Sequence, residues 1–553
     1  MDIQVNRQKH FRYITNTIES SVRAQSLVAI LIILVFAGIN LLSVLRNFSL
    51  TTDEDKHYLY GENILSGNSD RFNPSTMPVT ALNALPKKLA SFLEPGRIKQ
   101  FLNRYYVARM VTIFFSCLVA YLVFYWARLL YGLIPALFSL TLYVLDPNII
   151  AHSQLVTTDL YTTGTVLFAF FTLWKFAHDR SIRNGLLCLF ALGLSQIAKY
   201  TAIVLFPLFF VTLLVYDLSS LKAFQAKESL RNFILRYVKY AIYAIVASIL
   251  IINLGFLFNH TFTYFRKYQF RSGLLQNIQT NFRALYFLPV PVPYPYLAGL
   301  DYMNNVEQSG AAPGNTYLLG QVRTGQGFPG YYIVASFLKV PIPTQIILVL
   351  ALVVFFTRKE IRTNLFKNEF FLLIPVAFYT VYFNFFFSTQ VGIRYYLPVF
   401  PFLYIFAGSL FIRWNNCSNA KKALSLTLLV YLAISVLSYH PYYLSYFNEI
   451  VWDRKQAYKY LADSNIDWGQ GRKELDQYLL EHPDAVYKPG KVRSGQLIVR
   501  VNDLVGVTTD PEKYAWLRNN FEPVDTIAYS YLIYKISPED INKLCSLTTI
   551  CDK

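Results

Sequence analysis

Eleven stretches of this 553-residue chain are apolar over about the 20 residues that a bilayer-spanning helix requires, and no other feature restricts the fold as strongly. They lie at roughly 25–45, 107–127, 131–146, 158–176, 184–198, 200–216, 238–258, 340–357, 370–388, 395–412 and 423–439. Hydrocarbon offers the backbone no hydrogen-bond partners, so each stretch is expected to form a helix. Only Ala198, Lys199 and Tyr200 separate the fifth stretch from the sixth. The first is too long for a cleavable signal and has no small-residue cleavage site before Arg46, so it is expected to stay as an anchor. Charged residues make up 15% of the chain, against roughly 25% in soluble proteins. The expected fold is an all-α polytopic membrane protein of about eleven transmembrane helices over residues 1–439. A small extracytoplasmic α/β domain is expected over 440–553.

The formal charge of +18 would suit a nucleic-acid partner, but its distribution argues otherwise. With the N-terminus in the cytoplasm, the inner segments 1–24, Arg128, 175–183, 217–239, 358–369 and 413–422 hold a net +13. The outer segments 50–106, 146–160, 259–340 and 440–553 hold +1. Arg46, Arg109, Lys199 and Arg394 make up the rest at membrane edges. A cation excess confined to cytoplasmic loops is a topology signal, so no nucleic acid is needed to explain it. The expected location is a bacterial plasma membrane, with the C-terminal domain on the periplasmic or extracellular side.

Two outer loops, 47–106 and 259–340, are longer than compact connections require and read as binding loops or lids. In the first, Leu82, Leu85, Leu89, Leu93, Phe101, Leu102 and Tyr105 recur at near-helical spacing, which predicts a helix lying on the membrane surface. The second carries Pro291, Pro293 and Pro295 and then a Gly-rich stretch at 310–330. The tail contains strand-like runs at 496–501 and 526–533 and helical segments at 454–461 and 472–480. Cys545 and Cys551 would pair in an oxidising compartment, or sit unpaired in a mobile terminus.

Three groups of residues carry candidate chemistry. Thr52-Asp53-Glu54-Asp55-Lys56-His57 follows the first span. A carboxylate there suits a general base acting on a hydroxyl, although an acidic solvated loop would look the same. Asp146-Pro147-Asn148-Ile149-Ile150-Ala151-His152 precedes Thr157-Thr158-Asp159, where Asp159 opens the fourth span. Asp159 either complements the helix dipole or faces the first acidic group across a shared cavity. Lys199 and Arg394 sit at outer span ends, where cations are disfavoured unless they snorkel or bind an anion. No GxxxxGK[ST], HExxH or GxSxG motif occurs, so an outward-facing enzyme would need an activated substrate already in the membrane.

Asp53-Glu54 with His57 and Gly61 resembles the first outer loop of GT-C glycosyltransferases, and most closely the bacterial branch of glycosyltransferase family 39. The resemblance continues through Pro147-Asn148-Ile149-Ile150-Ala151-His152, Leu155-Val156-Thr157-Thr158-Asp159 and Ala198-Lys199-Tyr200-Thr201-Ala202. It extends to Arg394-Tyr395-Tyr396-Leu397-Pro398, Pro401-Phe402 and Asp463-Ser464-Asn465-Ile466-Asp467-Trp468-Gly469-Gln470. It implies inverting transfer of a sugar from a polyprenyl-phosphate donor to a hydroxyl acceptor (a glycan, a lipid or a protein) on the outer face of the membrane. Asp53 would be the base, with Asp159 a second acid and Glu54 the next catalytic candidate. Lys199 and Arg394 would bind the donor phosphate, and His57, His152, Tyr200 and Tyr395 would line the substrate site. Asn73-Pro74-Ser75-Thr76-Met77-Pro78 departs from relatives that carry Glu or His before a Pro pair, and no metal or other cofactor is expected. A transporter or flippase of lipid-linked sugars is the rival reading, but it would place polar groups near the membrane midplane.

The charge split predicts that residues 440–553 lie outside the cytoplasm. A reporter active only in the periplasm, fused after Lys553, should be active. Activity from a cytoplasmic reporter alone at that site would overturn the topology.

Overall fold

A computed structural model describes residues 26–46, 49–68, 72–220, 230–309, 314–357 and 365–547. Residues 1–24, parts 221–229 and 358–364 of the expected inner segments 217–239 and 358–369, and Cys551 lie outside the described residues, whereas Cys545 is disulfide-bonded.

Each apolar stretch contains a helix. α1 (Ser26–Leu45) leads into the first long loop, which holds α2 (Glu54–Leu65), α3 (Ala81–Ala90) and α4 (Arg97–Leu102). α5 (Tyr105–Tyr131) ends at Gly132, and α6 (Leu133–Val144) then bends by 64° into the short α7 (Pro147–Ser153). The bend is built by chemistry that the sequence carries. Pro147 needs no amide partner in a first turn, and the Asp146 carboxylate accepts from the amides of Asn148 and Ile149. α8 (Asp159–His178), α9 (Ile182–Ala198), α10 (Leu205–Ser220) and α11 (Leu230–Gly255) follow. The tight α9–α10 junction is an extended Lys199 and a 3-10 turn over Tyr200–Val204.

The second long loop contains α12 (Gly273–Asn281), α13 (Tyr294–Ser309) and a hairpin of β1 (Thr316–Leu318) and β2 (Gln321–Arg323). α14 (Tyr331–Lys339) meets α15 (Ile342–Thr357) at 115°, and α16 (Phe370–Phe385), α17 (Val399–Gly408) and α18 (Asn419–Leu437) complete the bundle. Among the described residues, five helices are long and apolar enough to cross a membrane, or up to seven if each bent pair is one span. Three further apolar helices are shorter. The chain is a mostly helical, multi-pass membrane protein.

The Leu stripe of the first loop forms two short helices and the start of α5 rather than one surface helix. α3 buries Asn83, Ala84 and Ala90 and leaves Leu82, Leu85 and Leu89 exposed, with Phe92, Ile98 and Phe101 beyond it. The tail is layered onto the bundle. α19 (Arg472–Glu481) covers a sheet in the order β3 (Val486–Tyr487), β4 (Gly495–Arg500), β6 (Tyr531–Ile536), β5 (Asp525–Ile527). The run at 526–533 thus holds parts of two antiparallel strands, with a turn where Ala528 and Tyr529 adopt positive φ. Side chains alternate across a strand. Accordingly Leu497, Val499, Leu532 and Tyr534 share the buried cluster of the bundle, while Ile498, Tyr531 and Ile533 pack on Leu475 of α19.

Candidate active site

Four charged side chains from four distant segments meet where helices of the bundle begin. Asp53 stands at the N-cap of α2 but makes no side-chain cap to that helix. Its carboxylate instead receives Arg394 Nη1 at 2.9 Å and Lys56 Nζ at 2.8 Å. Asp159, the first residue of α8, takes Lys199 Nζ at 2.6 Å and lies 3.9 Å from Arg394 Nη1. Arg394 therefore joins the two acid–base pairs into one network. The N-terminal ends of α2 and α8 both adjoin it, and their dipoles favour negative charge.

Local structure fixes each member. Lys199 is held extended between α9 and α10, with its ammonium 3.7 Å from the centre of the Tyr395 ring. Arg394 Nε donates to the Val391 carbonyl, and its guanidinium lies 4.1 Å from the centre of the Trp468 ring. Gly392, with φ +93°, passes so close to Ser464 that a Cβ there would collide with its hydroxyl. Burial acts to raise the Asp53 pKa, but Arg394 and then Lys56 outweigh it and hold the carboxyl well below the usual carboxylate range. Asp53 keeps 17% of its side-chain surface and Asp159 only 3%, so Asp53 is the more accessible acid.

His57 and His152 are buried near these charges, and the Nδ1 atom of each lacks a hydrogen-bond partner among the described residues. The ring of His152 lies 6.0 Å from that of Trp468. Burial lowers the His57 pKa to about 4. The expected substrate residues His57, His152 and Tyr395 thus all adjoin the network.

Glu54 and Tyr200 have other work. Glu54 is fully buried, and Arg109 grips it through Nε at 2.9 Å and Nη2 at 2.6 Å. Its two oxygens also accept from the amides of Thr51 and Val156 and from the Thr51 hydroxyl. No lone pair is left to take a proton from a substrate, which corrects the expectation of a catalytic Glu54. The reason is geometric: Asp53 and Glu54 begin a helix and point apart, one towards Arg394 and one into the bundle. Tyr200 donates to the Pro295 carbonyl at 3.3 Å and packs against Gly299 and Tyr296, so it anchors the second long loop instead of facing the network.

Lys339 was not among the expected residues. It is fully buried at the α14–α15 bend and donates to the carbonyls of Leu444 and Asn465 at 2.7 and 2.6 Å. Its only sequence signal is a cation beside an apolar stretch, which does not distinguish it from a snorkelling lysine. Among the described residues no group of three or more His, Cys, Asp or Glu is placed to hold a metal ion. A groove of about 1010 Å³ runs along α9, α10 and α11, from Arg180 past Leu192, Phe206 and Leu213 to Tyr296. Tyr296, at one end of the groove, lies with its ring centre 6.0 Å from that of Tyr200.

Residues 98–252 match the family described as dolichyl-phosphate-mannose-protein mannosyltransferase. That stretch contains Asp159 and Lys199 but neither Asp53 nor Arg394, and the family 39 resemblance holds over it. No curated protein matches the chain. Among solved structures, the chain is similar to ArnT from Cupriavidus metallidurans bound to undecaprenyl phosphate. The TM-score is 0.47, with 12% identity over 91% of this chain and 97% of that one. It is also similar to the Archaeoglobus fulgidus oligosaccharyltransferase in the apo form, with a TM-score of 0.44 and 14% identity. That match covers 74% of this chain and 54% of the archaeal protein, so the present chain spans about half of it. Scores of this size establish no shared fold, and the site stands on the geometry of this chain.

Two outcomes check these assignments. Glu54→Gln leaves Arg109 buried without its counter-charge, which should cost about 3–5 kcal/mol and lower the unfolding temperature sharply. Replacing both residues by Leu should recover part of the loss, and equal stability of Glu54→Gln and wild type would contradict a structural Glu54. His57 has a folded pKa near 4, below the roughly 6.5 of a free histidine, so the unfolded chain binds a proton first as pH falls. Its contribution is complete above about pH 6.5 and declines towards pH 4, by at most about 1.4 kcal/mol per pH unit. His57→Gln should flatten the fall in unfolding temperature over that range, and an unchanged slope would show that His57 is protonated in the fold.

Proposed function

We propose that this chain is an inverting glycosyltransferase that moves a sugar from a polyprenyl-phosphate donor to a hydroxyl acceptor. We place the reaction at the outer face of a bacterial plasma membrane that the chain crosses eleven times. The observation that carries this reading is the network in which Arg394 links Asp53 to Asp159 and Lys199. It pairs a partly exposed carboxylate with cations suited to a phosphate, at the ends of spans. The match of 98–252 to a family named for a dolichyl-phosphate donor supports the donor class.

The groove suits the lipid. It is lined almost wholly by apolar side chains, which suits a polyprenyl tail, and Lys199 and Arg394 would bind the phosphate of such a donor. Arg offers parallel donors to phosphate oxygens, and Lys a point charge. A phosphate competing for Arg394 would loosen its hold on Asp53. That release matters, because a carboxylate held by two cations is a poor proton acceptor.

In the transfer, the acceptor oxygen attacks the anomeric carbon from the side opposite the phosphate. The bond from that carbon to the phosphate oxygen breaks, and its electron pair leaves with the phosphate. The acceptor proton passes to Asp53. A weak base suffices, since the hydroxyl becomes acidic only as its new bond forms. Lys199 and Arg394 stabilise the charge growing on the phosphate. Asp159 holds Lys199 and Arg394 in place, and His57, His152 and Tyr395 offer ring nitrogens and a hydroxyl to sugar or acceptor.

Asp53→Asn keeps the shape of the side chain but removes the proton acceptor. Transfer from a panel of polyprenyl-phosphate hexoses and pentoses by the purified variant should fall by about 100-fold or more, with donor binding retained. Near-normal transfer would remove Asp53 as the base and pass the role to Asp159.

A further inference from the structure

The turn at 463–470 lies more than three hundred residues from Asp53 in sequence, and the mechanism above makes no use of it. Almost every side chain in it is nevertheless committed to the walls of the site. Asp463 adopts φ +58° and turns the chain so that Ser464 donates its hydroxyl to the Val391 carbonyl. The Asn465 amide oxygen accepts from the Ile393 amide at 3.0 Å, directly before Arg394. Asn465 is itself held by Tyr331 at 2.8 Å and, through its carbonyl, by Lys339. Asp467 pairs with Arg500, while Gln470 accepts from the Trp468 amide and donates to the Ile466 carbonyl. These contacts leave the turn little freedom.

Trp468 is the residue through which this turn meets both halves of the network. Its carbonyl accepts from the Thr52 amide at 2.9 Å and from the Thr52 hydroxyl at 3.1 Å, one residue before Asp53. Gly469, with φ +95°, lets the chain pass beside Leu50 and Thr52. The indole face carries the Arg394 guanidinium, and the side chain is buried. An aromatic face attracts a cation most strongly where water is excluded, and it fixes the guanidinium plane without consuming its N–H donors. With Nε spent on the Val391 carbonyl, the Nη groups remain to be shared between Asp53 and a phosphate.

We propose that the 463–470 turn is a positioning element of the transfer site and that Trp468 is its working residue. Its carbonyl sets the segment bearing Asp53 while its ring sets the plane of Arg394, so the C-terminal tail fixes the geometry between base and donor phosphate. The proposal rests on reading Arg394 as a phosphate ligand.

The two contacts separate experimentally, because substitution removes the ring and keeps the carbonyl. Undecaprenyl phosphate serves as the probe, since it presents the lipid phosphate without requiring the sugar to be known. Its equilibrium binding to the full chain in detergent should weaken about tenfold in Trp468→Leu, which has no aromatic face. Trp468→Phe, which keeps a smaller face, should bind within a few-fold of wild type. Both variants lose side-chain volume, so a purely structural role would lower binding and unfolding temperature in parallel in both. Equal binding by the Leu and Phe variants, whether normal or weakened, overturns the proposal. Arg394→Ala is measured alongside. If it binds undecaprenyl phosphate normally, the phosphate-ligand reading fails and this inference with it. If it is impaired while Trp468→Leu binds normally, only the role of Trp468 is lost.

Discussion

Arg394 shared between Asp53 and Asp159 is the interaction on which the arrangement of the site depends. Asp53 and Arg394 are 341 positions apart, and Asp159 and Lys199 are 40 apart. A charge taken out of water is costly unless it is paired and hydrogen-bonded, so these four groups can be buried only together. Each pairing therefore ties down a segment end: the start of α2, the start of α8, the α9–α10 junction and the turn before α17. The network is structurally necessary for the same reason that it is chemically useful, because it concentrates exchangeable charge in one place.

Its surroundings divide the labour between two adjacent carboxylates. Glu54 is saturated by Arg109 and by backbone amides, and it cements the first loop to α5 and to the segment before α8. The Asp53 carboxylate is paired with the side-chain cations Lys56 and Arg394 and keeps some access to solvent. Rigid and exchangeable contacts thus stand one residue apart, and a site needs both if it is to hold its geometry while a substrate trades places with an internal partner. The buried Lys339 extends the rigid part. Its ammonium is spent on two carbonyls, one of them in the tail turn that braces Arg394.

The tail is an integral wall of this site. Alternation along β4 and β6 sends one set of side chains into the core of the bundle and the other against α19. The sheet is thereby fixed to the bundle on one face and roofed on the other. Movement of the tail would disturb both the Thr52 contact and the Arg394 plane at once.

The sequence by itself determined the helices, the asymmetry of charge between loops and the short list of acids and cations at the ends of apolar stretches. Apolar runs and charge excess are local properties, read over about 20 residues and independent of what packs against them. Asp53, Asp159, Lys199 and Arg394 were legible because ionisable groups at such positions are rare and costly. Only the tertiary structure decided which acid of the Asp53-Glu54 pair keeps access to solvent, that Tyr200 faces a loop, and that Trp468 lies under Arg394. Those outcomes depend on partners far away in sequence. Arg109, Pro295 and Arg394 come within reach only when separate helices pack, and no local pattern of residues encodes that proximity.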